Sequence, residues 1–110
     1  MTGLSIHAVD AATGRPAEGL RVRVLSTGDR QAVVAEGYLG ADGTLAHPIV
    51  RTRLAAGLYE VAFEIGDFVG QAGDGFLDMA SIRFRITDPT SHCHLPLKFT
   101  AFGIALFRGC

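Results

Sequence analysis

The chain has 110 residues, 48% of them hydrophobic, enough apolar material for one compact domain spanning residues 1–110 without disulfide or metal staples. Ten Lys and Arg against eleven Asp and Glu give a formal charge of −1, a balance that argues against a nucleic-acid partner or a polybasic membrane patch. No apolar run approaches the roughly 20 residues of a membrane helix, and Met1-Thr2-Gly3-Leu4 lacks the basic-then-apolar pattern of a signal peptide; with Cys93 and Cys110 at neither metal nor disulfide spacing, a reduced, cytoplasmic setting with no membrane partner is expected.

Leu4–Asp10 alternates Leu4, Ile6 and Ala8 against Ser5, His7 and Val9, the period of a half-buried strand. Residues 11–16 collect turn formers and end it. A second strand is expected over Leu20–Leu25, with Leu20, Val22 and Val24 opposite Arg21, Arg23 and Leu25, and a third over Ala32–Leu39. Gly40-Ala41-Asp42-Gly43 reads as a hairpin-type turn, because Asp-Gly favours positive φ. Pro48 limits Leu45–Arg53 to an edge or irregular strand. Leu58–Ile65 alternates again. Between Asp67 and Asp78 the period changes, and Phe68, Val69, Ala72, Phe76 and Leu77 suggest one face of a short helix, weakened by Gly70, Gly73 and Gly75. Ser81–Thr87 places Ile82, Phe84 and Ile86 inward. His92–Phe99 and Phe102–Phe107 form the last strand pair. Seven or eight short strands at this spacing predict a mostly β, two-sheet sandwich with one short helix.

The four histidines, His7, His47, His92 and His94, are the side chains suited to proton transfer near neutral pH. His7 points away from the Leu4, Ile6 and Ala8 face. His92 and His94 point together, away from Cys93, Leu95 and Leu97. Each alone reads as a surface or hydrogen-bonded imidazole; together they lie on strand faces that only a second subunit or a ligand would cover. His92 and His94 share a face, but no third ligand is set by spacing, so no metal site is assigned. There is no nucleophile elbow, phosphate-cradling loop or His-Glu-x-x-His helix. Cys93 faces the core and reads as inert. Cys110, two residues after Arg108, reads either as an inert terminal thiol or as one whose thiolate a neighbouring cation favours.

Leu4-Ser5-Ile6-His7-Ala8-Val9-Asp10 with Thr13-Gly14-Arg15-Pro16-Ala17 resembles the amino-terminal signature of 5-hydroxyisourate hydrolases, L-S-T-H-V-L-D then T-G-x-P-A. Ala35-Glu36-Gly37, Asp42-Gly43 and Ala56-Gly57-Leu58-Tyr59 match further landmarks. His92-Cys93-His94-Leu95-Pro96-Leu97 looks like the family's H-Y-H-x-P-L segment, and Phe107-Arg108-Gly109-Cys110 stands where the family ends in Y-R-G-S. The resemblance implies a transthyretin-like sandwich, a homotetramer built as a dimer of dimers, and a small-molecule substrate bound in an inter-dimer channel. It implies hydrolytic opening of the six-membered ring of 5-hydroxyisourate, a step of purine breakdown, with no cofactor. His7 and His94 match the catalytic histidines. Thr44, Phe107, Arg108, Cys110 and His92 fall at or beside positions expected to bind substrate.

Three of those positions depart from the family's pattern. Thr44 stands where an arginine is expected to hold the anionic substrate, Phe107 replaces tyrosine, and Cys110 replaces serine. A guanidinium is a bidentate, permanently charged clamp that Thr44 cannot imitate; losing such a donor in a desolvated site costs ~2–4 kcal/mol. Arg51 and Arg53 are candidate substitutes further along the chain. Three functions follow: a hydrolase of the 5-hydroxyisourate type; a repurposed family enzyme doing acid–base cyclisation, isomerisation or hydrolysis on a less anionic molecule in specialised metabolism; and a non-catalytic carrier of a small molecule.

Overall fold

The computed structural model describes residues 2–28, 30–69 and 75–109. Its elements are β1 (Leu4–Asp10), β2 (Arg15–Pro16), β3 (Arg21–Thr27), β4 (Gln31–Tyr38), a 3-10 turn (Pro48–Val50), β5 (Gly57–Phe63), α1 (Ile65–Val69), β6 (Ala80–Ile86), β7 (Cys93–Phe99) and β8 (Ile104–Leu106). Two four-stranded sheets form, in the orders β2-β1-β7-β8 and β4-β3-β5-β6. Among the described residues no helix is long and apolar enough to cross a membrane.

The alternation read from the sequence sets the burial. Leu4, Ile6 and Ala8 of β1 and Cys93, Leu95, Leu97 and Phe99 of β7 face inward, against Val22 and Val24 of β3 and Val61 and Phe63 of β5. Both sheets thus close over one apolar core. β1 and β7 run parallel, with Ser5 beside His94, Ile6 beside Leu95 and His7 beside Pro96. That pairing joins segments from opposite ends of the chain. It leaves Ser5, His7 and His94 half-buried on the outer face of the first sheet.

Several expectations are corrected. Leu25, expected outward with Arg21 and Arg23, lies outside the core cluster, in unbroken register with β5, and is nevertheless buried; opposite it β4 carries a bulge, with Val34 as the extra residue between the partners of Val24 and Leu25. Arg15–Pro16, read as part of a turn, makes a two-residue strand on the edge of β1. The turn at Gly40–Gly43 closes through Gly43 N–H to Gly40 O, with Gly43 at φ 78°, yet it does not join two strands of one sheet. The chain instead crosses to β1, where Thr44 bridges His7. Leu45–Arg53, expected as an irregular strand, holds the 3-10 turn: Pro48 starts it, and His47 Nδ1 accepts the Ile49 N–H at 3.0 Å as its cap. The helix expected over 67–78 lies earlier, at Ile65–Val69. Ala72, Gly70 and Gly73 of that expectation lie outside the described residues, and Phe76 is exposed. Local period alone could not place a helix whose buried anchor, Ile65, precedes the stretch that looked helical.

Candidate functional site

Strand parity brings the imidazoles together. In the β1–β7 register, His7 and His94 are diagonal neighbours on one face, with Cα positions about 8 Å apart from strand spacing and rise. Ser5, directly beside His94, places its Oγ 2.6 Å from His94 Nδ1 and 2.8 Å from His92 Nε2. His92 Nδ1 donates to the Thr2 carbonyl at 2.9 Å, since a carbonyl oxygen only accepts. The hydroxyl of Ser5, a residue to which sequence analysis gave no role, is therefore the hub of the cluster. Its position two residues before His7 on the same face was the available signal.

Two glycines wall this cluster. A Cβ on Gly43 would lie 3.2 Å from His7 Cδ2, and a Cβ on Gly109 would lie 2.8 Å from His94 Cδ2. Gly109 reaches His94 because Pro96 has no N–H to donate. The ladder with β8 ends at Leu97–Leu106, and the tail re-engages through Gly109 N–H to His94 O at 2.7 Å. The close backbone approach over each ring needs a residue without a side chain.

Burial, then the neighbouring imidazoles of His7 and His92, push the His94 pKa below its ordinary 6.5. Its neutral form is favoured, as a base near neutral pH requires. Beside Ser5 opens a cleft of about 520 Å3, lined also by Thr44, Leu45, His47, Val50 and Arg51, a size suited to a small ring compound. Thr44 is turned to Asp42: its hydroxyl donates to Asp42 Oδ1 at 2.7 Å and its N–H to the same atom at 3.0 Å. Those bonds hold the Asp42 carboxyl below the usual carboxylate range.

The remaining positions separate. Phe107 is exposed. Arg108 falls on the opposite strand face from His94, against Cys93, in a small cleft with Arg85 and Asp88. Cys93 is buried, and burial raises its pKa despite the nearby Arg108, consistent with an inert thiol. Cys110 lies outside the described residues. Of the two candidate substitutes for the missing arginine, Arg51 lines the cleft beside Ser5 and Thr44. Among the described residues no group of three or more His, Cys, Asp or Glu is arranged to hold a metal ion.

The sandwich, with its first and penultimate strands paired in parallel, meets a family match over residues 4–109 to the HIUase/Transthyretin family. The chain belongs to that family. It is 37% identical to a 5-hydroxyisourate hydrolase of Deinococcus radiodurans, over 97% of this chain and 95% of that protein. A solved 5-hydroxyisourate hydrolase from Klebsiella pneumoniae superposes with a TM-score of 0.84 at 32% identity, covering 100% of this chain and 94% of that one. Sea bream transthyretin, solved with thyroxine, reaches a TM-score of 0.86 at 22% identity, covering 97% of this chain and 94% of that one; that likeness shows the shared fold. Family membership gives the two outward histidines a common setting, since both sit on the strands that the family's end motifs occupy.

Proposed function

We propose that the protein is a cofactor-free hydrolase that opens a small cyclic amide of the 5-hydroxyisourate type by histidine-assisted attack of water. The observation that carries this reading is the placement of His7 and His94, from opposite ends of the chain, on one face of the β1–β7 pair, with His94 bonded to Ser5, which lines the neighbouring cleft. One imidazole takes a proton from water as the water oxygen bonds to the ring carbonyl carbon. The carbon–nitrogen bond then breaks, and the proton goes to the departing ring nitrogen. The second imidazole orients water and substrate. Arg51, on the cleft wall, supplies the cation for an anionic ring that Thr44 cannot supply.

The reacting face is the outer face of a sandwich, where water competes with every hydrogen bond. A second pair of subunits laid over it would form a channel and exclude that water, so a homotetramer built as a dimer of dimers, working in the cytoplasm, is part of the proposal. Freshly generated 5-hydroxyisourate should lose its ultraviolet absorbance faster with the protein present. His94→Ala and His7→Ala should each remove the acceleration. Full activity in both variants would remove the assignment, and a monomer by light scattering would remove the channel.

A second reading is favoured by the commitment of Thr44 to Asp42. An uncharged hydroxyl, already bonded to a carboxylate, stands where the resemblance puts a guanidinium, which suits a less anionic ring. Turnover of a neutral cyclic ureide in preference to 5-hydroxyisourate would establish that reading.

A further inference from the structure

Ser5 Oγ lies within hydrogen-bond distance of two imidazole nitrogens, and a hydroxyl has one proton to give. The direction of each bond follows from the end of the chain of contacts. The Thr2 carbonyl accepts from His92 Nδ1, so Nδ1 of His92 carries a proton. In neutral His92 the other nitrogen, Nε2, is then bare and accepts the Ser5 hydroxyl. Ser5 has no second proton, so His94 Nδ1 must donate to Ser5 Oγ. His94 is left protonated at Nδ1 and bare at Nε2.

We propose that Ser5 and His92 are positioning residues that hold His94 in its Nδ1–H tautomer, leaving its Nε2 lone pair as the base. The base role rests on the hydrolytic function proposed above; the tautomer follows from the contacts with His92 neutral. When Nε2 takes a proton from water, the electron pair of the broken O–H bond forms the new bond to the carbonyl carbon. The Nδ1 proton of His94 can pass to Ser5 as the Ser5 proton passes to His92 Nε2. The positive charge then rests on His92, still anchored to Thr2. His94 keeps the proton from water on Nε2 and gives it to the departing nitrogen as the two relay protons shift back, restoring the starting state. The titratable groups around His94 are His7 on β1 and His92 ahead of β7, with Asp42 beyond His7 and Arg108 on the opposite strand face.

The test uses the full chain labelled with 15N-histidine, read by two-bond proton–nitrogen correlation spectra, together with steady-state kinetics on 5-hydroxyisourate. Wild-type His94 should show a protonated Nδ1 and a bare Nε2. Ser5→Ala should give a mixture of His94 tautomers and lower kcat about 10- to 100-fold with little change in KM, the range seen when a group that orients a reacting residue is lost. Ser5→Thr, which keeps the hydroxyl, should recover most of the rate and the original tautomer. His92→Leu should loosen the tautomer in the same way. A wild-type His94 protonated at Nε2, or equal losses in the Ala and Thr variants, overturns the proposal. A protein with the Nδ1–H tautomer but no hydrolysis in any form would instead sink the hydrolase reading while the tautomer assignment stands.

Discussion

Gly109→Ala tests how tightly the site is built. The new methyl would sit 2.8 Å from His94 Cδ2 and 3.4 Å from both His94 Cγ and Pro96 Cδ. Carbon atoms prefer about 3.5–4.0 Å, so the ring has to move by more than half an ångström. The methyl approaches a ring edge, and Pro96 backs the strand next to it, so the imidazole turns about its own side-chain bonds. Gly109 is not among the glycines at positive φ, so alanine brings no backbone strain of its own, and the residue lies in the tail outside the core. Global stability should therefore change by less than about 0.5 kcal/mol, as for a surface substitution. A displacement near 1 Å at a reacting group costs up to about 100-fold in rate, and here it also lengthens the 2.6 Å contact to Ser5. The expected result is a 10- to 100-fold fall in kcat on 5-hydroxyisourate, from the same principle of misplacement, with an unchanged denaturation midpoint. Wild-type kcat in this variant would refute the placement of His94 at the reacting centre.

Other outcomes follow from the same geometry. The acid limb of the kcat/KM profile should have its midpoint below 6.5, because burial and the His7 and His92 imidazoles lower the His94 pKa. Folding stability should share that sign: below 6.5 the unfolded chain binds a proton that the folded site resists, so this contribution is lost as pH falls toward the folded pKa, and His94→Gln should flatten that part of the urea-midpoint profile. Thr44→Arg removes the hydroxyl that donates to Asp42 and puts a guanidinium at the cleft; kcat/KM for 5-hydroxyisourate should rise roughly 30- to 1,000-fold, the equivalent of ~2–4 kcal/mol, and no gain would count against the reading of Thr44 as a lost clamp. Arg51→Gln should raise KM for the same anion while leaving the Tm in place, as measured by initial rates and thermal melts; an unaltered KM removes Arg51 from the cleft's chemistry. Phe63→Ala, at a fully buried position of β5, should cost about 3–5 kcal/mol, read as a lower denaturant midpoint at constant m.

Much of this protein is determined by period alone. The alternation in β1 and β7 sends Leu4, Ile6, Leu95 and Leu97 inward, and therefore sends Ser5, His7 and His94 outward whatever the partners turn out to be. The family motifs carried by those strands were legible for the same reason, since they are local strings. Pairing is not local. Only the tertiary structure set β1 parallel to β7 in the register that puts Ser5 beside His94, and a slip of one residue would have sent the histidines to opposite faces. The early helix at Ile65–Val69 likewise depends on distant strands, since its anchor Ile65 is buried in the core they form. The same holds for the cation at the cleft: sequence showed that Thr44 lacks a charge, but whether Arg51 or Arg53 faces the site depends on how the turn after Pro48 packs against β1, a contact between segments that no local pattern encodes.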